Sequence, residues 1–317
     1  MSNPAIVTPT IIQGPAFVKT NSVVFYVEKD ITLNPSVESW NPESTWGPLG
    51  ERHKSRKDVL SFTPVGMINS TIMNLIYAAF LAPSGKIGTS IYPGTVVISS
   101  LIENKTYTWA RGGFSKPPGL VLSPTKTAFG SMEVTCIGAA STQPTDAAFW
   151  KTDTGAATAD TTFDPTKVLS EIYSAALGAR IAPYNALGAM DGFMLDFGFL
   201  TKDIPNSDVG IADTVITGLS LGVRFAPSNL TEDQVDTLLA TQDTAAVLPG
   251  QAYGKLLEDL VITSCVSGNI FTAKKIGAKN CTKIYAVGEH RFREIQFTNI
   301  RTFTTGAPDA MFAYTLM

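Results

Sequence analysis

Apolar and polar residues alternate in short runs along most of the chain, and Gly or Pro interrupts them about every 8 to 15 residues, the punctuation of many short strands. Thr, Val, Ile and Phe dominate these runs, as suits a pleated, half-buried surface. Strands are predicted over Ser22–Leu33, Asp58–Met67, Thr95–Leu101, Thr106–Arg111, Ser131–Gly138, Phe193–Thr201, Thr217–Phe225, Asp259–Val266, Ile270–Lys275 and Glu294–Thr302. Helical spacing is confined to three segments. The first follows Asn69-Ser70 with Ile72, Met73, Leu75, Ile76, Ala79 and Phe80, and stops before Pro83. The second opens at Thr231, whose hydroxyl and Gln234 form a Thr-x-x-Gln capping box ahead of Val235, Leu238 and Leu239. The third opens at Asp164-Pro165 and carries Val168, Leu169, Ile172, Tyr173, Ala176 and Leu177. The expected class is mainly β, of α+β type.

The pattern also repeats. Val97-Ile98-Ser99-Ser100 returns as Val261-Ile262-Thr263-Ser264, and at the same offset Thr106-Tyr107-Thr108 falls on Ile270-Phe271-Thr272. Met132-Glu133-Val134-Thr135 falls on Ile295-Gln296-Phe297-Thr298, one residue out of step. Leu60-Ser61-Phe62 is matched with Leu219-Ser220-Leu221, and Gly14-Pro15 to Phe25-Tyr26 with Ala182-Pro183 to Phe193-Met194. Five matches in one order predict two copies of a single β fold, each flanked by a helix. The first domain is placed at residues 1–145 and the second at 181–317. Residues 146–180 read as a linker with a short helix.

Charge narrows the function classes. Only 16% of the 317 residues are charged, against roughly 25% for an average soluble domain. Net charge is −3, with 11 basic and 8 acidic groups in residues 1–145 and 13 and 19 in the remainder. No strong field for gripping nucleic acid or an anionic membrane is expected. A hydrophobic content of 44% with 17 Phe excludes a disordered chain. The best apolar run, Ile72 to Ala82, is 11 residues and broken by Asn74, against about 20 for a membrane span. Met1-Ser2-Asn3-Pro4 has neither a basic start nor an apolar core, so no secretory leader is expected. Cys136, Cys265 and Cys281 are too scattered for a disulfide framework and suit a reducing compartment.

Candidate chemistry is sparse. Gly218-Leu219-Ser220-Leu221-Gly222 has the form of a nucleophile elbow, but Val223-Arg224-Phe225 continues the strand alternation where a helix is required, so Ser220 reads as mid-strand. His53 and His290 lie among charges and read as solvated loop residues. No cysteine has a second Cys or a His at zinc spacing, and no glycine-rich phosphate loop is present, so no cofactor or metal is expected. Trp109 and Trp150 read as core or linker packing. The densest charge run is Glu51-Arg52-His53-Lys54-Ser55-Arg56-Lys57-Asp58, preceded by Trp40, Pro42, Trp46 and Pro48 in a long excursion between two strands. Such a run could be a solvated hairpin loop or could touch DNA phosphates or an acidic partner. A long excursion with two Trp in a compact β protein is usually functional, and exposed aromatics suit docking onto another subunit.

Phe25-Tyr26-Val27-Glu28-Lys29-Asp30-Ile31, the excursion, and Val59-Leu60-Ser61-Phe62-Thr63-Pro64-Val65-Gly66 resemble the opening of long-tailed bacteriophage major tail (tail tube) proteins. The stretch Ser123-Pro124-Thr125-Lys126-Thr127-Ala128-Phe129-Gly130-Ser131-Met132-Glu133-Val134-Thr135 is similar to their closing strand region, so the resemblance covers residues 22–138. It implies two tandem tail-tube-like domains of β-sandwich or flattened-barrel form, flanked by helices, that join into rings around a lumen. It implies a non-enzymatic virion protein, assembled in the host cytoplasm and located in the tail. Its implied partners are itself, a tape-measure protein, a tail terminator and distal tail or baseplate proteins. Double-stranded DNA passes through the lumen without specific binding, and no membrane insertion is implied. The excursion is expected to reach the next ring, with Trp40, Trp46, Leu49, Arg52, His53, Lys54, Arg56 and Lys57 as contact candidates. If a ring needs six copies of the fold, a duplicated chain closes it as a trimer of pseudo-sixfold symmetry; a hexamer with outer second lobes is the competing arrangement. Other readings are the inner tube of an injection system, a distal tail ring, a carbohydrate-binding β-sandwich using Trp40 and Trp46, and an esterase on Ser220.

Overall fold

A computed structural model describes residues 16–21, 23–28, 30–40, 43–48, 50, 52–65, 68–138, 150–155, 171–177, 187–206, 210–228, 230–231, 234, 258–283, 292–299, 303–304 and 307–317. The protein is mainly β, with two antiparallel sheets. The strands of the first half are β1 (Ala16–Thr20), β2 (Val23–Val27), β3 (Thr32–Trp40), β4 (Arg52–Phe62), β5 (Gly94–Ser100), β6 (Lys105–Lys116), β7 (Leu120–Leu122), β8 (Met132–Ile137) and β9 (Trp150–Thr154). Those of the second half are β10 (Tyr173–Leu177), β11 (Phe193–Asn206), β12 (Gly210–Phe225), β13 (Glu258–Ser264), β14 (Ile270–Lys283), β15 (Phe292–Asn299) and β16 (Phe312–Thr315). Helices α1 (Ser70–Ile76) and α2 (Ala78–Leu81) follow β4, after a two-residue strand Pro64–Val65 beside β2.

The duplication extends to the register. The first sheet runs β3-β4-β8-β6-β5-β1 and then β2, with β9 alongside β6. The second runs β11-β12-β15-β14-β13-β10, with β16 alongside β14. Three β-bulges recur at matching positions. In β3/β4, Glu38 faces Ser55 but Ser39 faces His53; in β11/β12, Leu200 faces Gly218 but Thr201 faces Ile216. In β8/β6, Glu133 faces Lys116 but Val134 faces Phe114; in β15/β14, Gln296 faces Asn280 but Phe297 faces Ala278. In β5/β6, Gly94 faces Gly112 and Val96 faces Trp109; in β13/β14, Glu258 faces Ile276 and Leu260 faces Ala273. The turn after β5 is repeated too: Ser100 Oγ accepts from Glu103 N, Ser264 Oγ from Ser267 N, and Asn104 and Gly268 both have positive φ. Bulges redirect a strand and raise its twist, so three in common impose the same curvature on both sheets.

Two of the five expected matches are corrected by this register. Leu60 and Phe62 correspond to Val223 and Phe225, not to Leu219 and Leu221, because Leu60 faces Val134 as Val223 faces Phe297. A slip of four residues keeps the same side chains inward, so alternation alone cannot detect it. Likewise β1 corresponds to β10, since Ala16 faces Ser100 and Tyr173 faces Ser264. Residues 182–194 therefore do not match 14–26; Val18 faces Phe25, whereas Ala175 bridges to Leu187 across a longer connection.

The expected helix from Asp164 to Leu177 is also corrected at its C-terminal end, where Tyr173–Leu177 is a strand. Tyr173 and Ala175 point into the core and Ser174 and Ala176 are half-buried, so the same residues satisfy a period of two. The open edge of β13 decides between the periods by supplying hydrogen-bond partners; residues 156–170 lie outside the described ones. The first expected helix is present, broken at Tyr77 into α1 and α2, with Asn69 Oδ1 accepting from Ile72 N at 2.9 Å. The second forms its capping box: Thr231 N donates to Gln234 Oε1 at 2.7 Å and Gln234 N to Thr231 Oγ1 at 3.4 Å. Val235, Leu238 and Leu239 lie outside the described residues. No helix among the described residues is long and apolar enough to cross a membrane.

Buried residues from both halves belong to one continuous hydrophobic core. Tyr77, at the break between the helices, and Phe80 of α2 meet Phe197 of β11 at ring-centroid distances of 4.2 and 4.8 Å, and Phe80 stacks on Phe199 at 5.5 Å. Phe312 of β16 closes this group against Phe197 at 5.2 Å. The helix of the first half thus caps the sheet of the second.

Candidate functional site

The segment expected to be a free excursion is largely strand. β3 and β4 pair from Thr32 opposite Ser61 out to Trp40 opposite Arg52, so the charge run Arg52–Lys57 belongs to a long hairpin arm and not to a loop. Only its tip departs from the ladder, as a two-residue hairpin of Glu43–Ser44 with Gly47–Pro48. Ser44 Oγ donates to the Gly47 carbonyl at 3.0 Å and accepts from Trp46 N at 3.1 Å. That turn holds Gly47 at φ 104° and leaves Trp46 96% exposed. Asn34 to Glu38 are strand beyond the end of the expected Ser22–Leu33 strand, where the sequence pattern shows only a loop, because their partners in β4 are about twenty residues away.

The candidate residues divide by environment. Arg56 does not project from the hairpin: its guanidinium meets the buried Asp58 with Nε to Oδ1 at 3.1 Å and Nη2 to Oδ2 at 3.3 Å. Trp109 Nε1 donates to the same carboxylate at 3.0 Å, which explains how a charge sits inside the sheet. Lys57 Nζ reaches Asp203 Oδ2 of β11 at 2.6 Å, joining the two long hairpins of the chain. Trp40, Arg52, His53 and Lys54 have their backbone in β3 and β4, with side chains outside the described residues, where Leu49 also lies.

A polar chain continues from Lys57 along the seam between the halves. Thr214 Oγ1 donates to Asp203 Oδ1 at 2.6 Å and lies 2.9 Å from Tyr92 Oη. Burial would raise the Asp203 carboxyl, but hydrogen bonds from Lys57 and Thr214 and the Lys57 charge outweigh it and hold it below its usual range. Burial pushes the Tyr92 phenol up to about 12, with the Thr214 hydrogen bond opposing. Arg111 stacks over Tyr92 at 5.7 Å, donates to the Ala212 carbonyl at 2.8 Å and approaches Asp213. Backbone pairing reinforces the seam: Gly88 N donates to Ile216 O, Ile91 N to Thr214 O, and Ile216 N to Thr89 O. On the opposite edge of the β11/β12 hairpin, β7 pairs with β11 through Leu120 opposite Leu195 and Leu122 opposite Phe193. Sequence reasoning missed this seam entirely, since its members are up to 146 residues apart; only the duplication hinted that one copy would have to pack on the other.

Ser220 lies mid-strand in β12 opposite Gly198, with its hydroxyl filling the space where a Gly198 side chain would begin. It lines a shallow groove with Asp196, Arg224 and Gln296 that contains no histidine among the described residues. Burial raises the Asp196 carboxyl although Arg224 Nε is 2.9 Å from it. His290 lies outside the described residues. Trp109 is in the core, and Trp150 has its backbone beside it in β9. No cluster of three metal-ligating side chains occurs among the described residues. The chain matches no family model and no curated protein.

Proposed function

We propose that this chain is a structural, non-catalytic virion protein, the tail tube subunit of a long-tailed bacteriophage, located in the virion tail. Three copies form a ring of six sheets with pseudo-sixfold symmetry, and rings stack into a conduit for the genome. The observation that carries this reading is the recurrence of one sheet within one chain, in the same strand order and with three bulges in common. A closed ring of repeated sheets hides strand edges that otherwise invite uncontrolled pairing. The low charge content is in keeping with a conduit wall, because phosphate contacts from many Lys and Arg would retain DNA. The tip with Trp46 is the element that reaches the next ring. A tape-measure protein fills the lumen during assembly, and terminator and distal tail or baseplate proteins close the two ends.

Electron microscopy of the purified protein tests this reading. Tubes with three two-lobed chains per ring are expected, and Trp46→Ala should leave rings that stack into shorter tubes. Six chains per ring would refute the trimer, and a protein that forms no ring or tube at any concentration would refute the function.

A further inference from the structure

We infer that the β3/β4 hairpin of the first half is the docking site for the second half of a second copy of this chain, in a head-to-tail contact that repeats the seam already present inside one chain. The argument is a comparison of equivalent positions. In the second sheet, Leu195, Phe197 and Phe199 of β11 form one face; Leu195 is 0% and Phe197 5% exposed, under helices and β7 supplied by the preceding half. Their counterparts in β3, by strand register and the shared bulge, are Leu33, Pro35 and Val37. These are also apolar, alternate with Thr32, Asn34 and Ser36, and are exposed, with Leu33 and Val37 at 44%. No described strand pairs with the outer edge of β3 from Thr32 to Val37.

An exposed apolar edge strand is a template for pairing, and proteins ordinarily blunt it with charge or cover it. Here the same surface exists twice in one molecule and is covered once. Within the chain, β7 pairs with the edge of β11 and the first-half helices cover its face together with Phe312 of β16; no described strand or helix of a preceding unit stands in that place for β3. The element of matching shape is the second half of another copy, whose sheet shares its strand order and three bulges with the first half that performs the covering. Because the surfaces joined differ, the contact is heterologous: it closes into a ring or propagates, and cannot stop at a two-fold dimer. The inference rests on the ring reading only for closure; stacking of rings plays no part in it.

The test uses the full chain with Leu33→Lys and Val37→Lys combined, and Leu33→Met with Val37→Ile as the conservative pair. Sedimentation velocity and electron microscopy read assembly, and far-UV circular dichroism reads folding. The Lys pair should keep the wild-type β spectrum and lose all species above monomer, while the conservative pair assembles as wild type does. If the Lys pair loses its β spectrum, each single Lys variant is read in the same way. A folded Lys variant that still forms tubes would overturn this inference and leave the tube reading standing. Wild-type rings that never stack, lost in the Lys variant, would support the inference and overturn the tube. A wild-type assembly that stops at a symmetric dimer would overturn the inference.

Discussion

Phe197 joins the two halves through its ring contacts. Its ring is 5% exposed and contacts Tyr77, Phe80 and Phe312, so it ties the first-half helices to β11 and to the last strand. Phe197→Ala removes a buried aromatic side chain and leaves a cavity, a change that costs about 3–5 kcal/mol. Part of that loss is the aromatic geometry itself, about 0.5–1.5 kcal/mol per favourable pair. Chemical denaturation by urea is the assay, followed by tryptophan fluorescence, whose four Trp, buried Trp109 among them, all lie in the first half, and by circular dichroism, which reports on both sheets. With a urea slope of about 3 kcal/mol/M for a chain of this size, the midpoint should fall by about 1 to 1.7 M. Because the core is continuous, both probes should move together. A fluorescence transition of the first half that stays at its wild-type midpoint while the circular-dichroism transition shifts would refute the shared core, and with it the claim that the seam is an integral contact.

Gly113→Ala should prevent folding, because a side chain there would begin 1.4 Å from the Ile91 carbonyl oxygen, and soluble yield is the measurement; a soluble variant with wild-type stability would contradict the packing of β6. Asp203 has a folded pKa below its unfolded value, so its contribution is present above the unfolded pKa near 4 and is lost as pH falls through the lower folded value. For this partly exposed pair the contribution is at most about 1 kcal/mol, and Asp203→Asn should flatten the acid limb of a stability-versus-pH curve by no more than that. Tyr92 has the opposite sign of dependence. Its folded pKa of about 12 exceeds the unfolded value near 10, so stability is fully present below pH 10 and falls as pH rises toward 12. Alkaline titration by ultraviolet difference absorbance should lose one late-ionising tyrosine in Tyr92→Phe.

How much of this was legible in the residues depends on the range of the contact that decides each feature. The Asn69 cap and the Thr231–Gln234 box are local, made by groups three residues apart, and both are present. Strands of a hairpin or meander, such as β5 with β6, are also legible because alternation and turn residues fall close together. The register of the repeat was legible where sequence identity was dense, at Val97 to Ser100 against Val261 to Ser264, and slipped at Leu60, where only alternation guided it. Tyr173–Leu177 shows the opposite limit: its pattern serves a helix or a strand, and β13 supplies the partner that settles it. The charge run at Arg52–Lys57 reads as a solvated loop or a contact surface, yet Arg56 answers the buried Asp58 and Lys57 answers Asp203.

By itself the sequence determined the mainly β class, the duplication and its approximate offset, and the helix that follows the first long hairpin. These depend on periodicities of two and 3.6 and on capping groups a few residues apart, which a chain carries in any context. Only the tertiary structure decided that the copies share one core, that β7 and α2 of the first half complete the second sheet, and that β3 is left with the same apolar face uncovered. Those outcomes depend on which distant segments meet, and the free energy of that meeting resides in contacts such as Phe80 on Phe197 and Thr214 on Ile91, which no local pattern encodes.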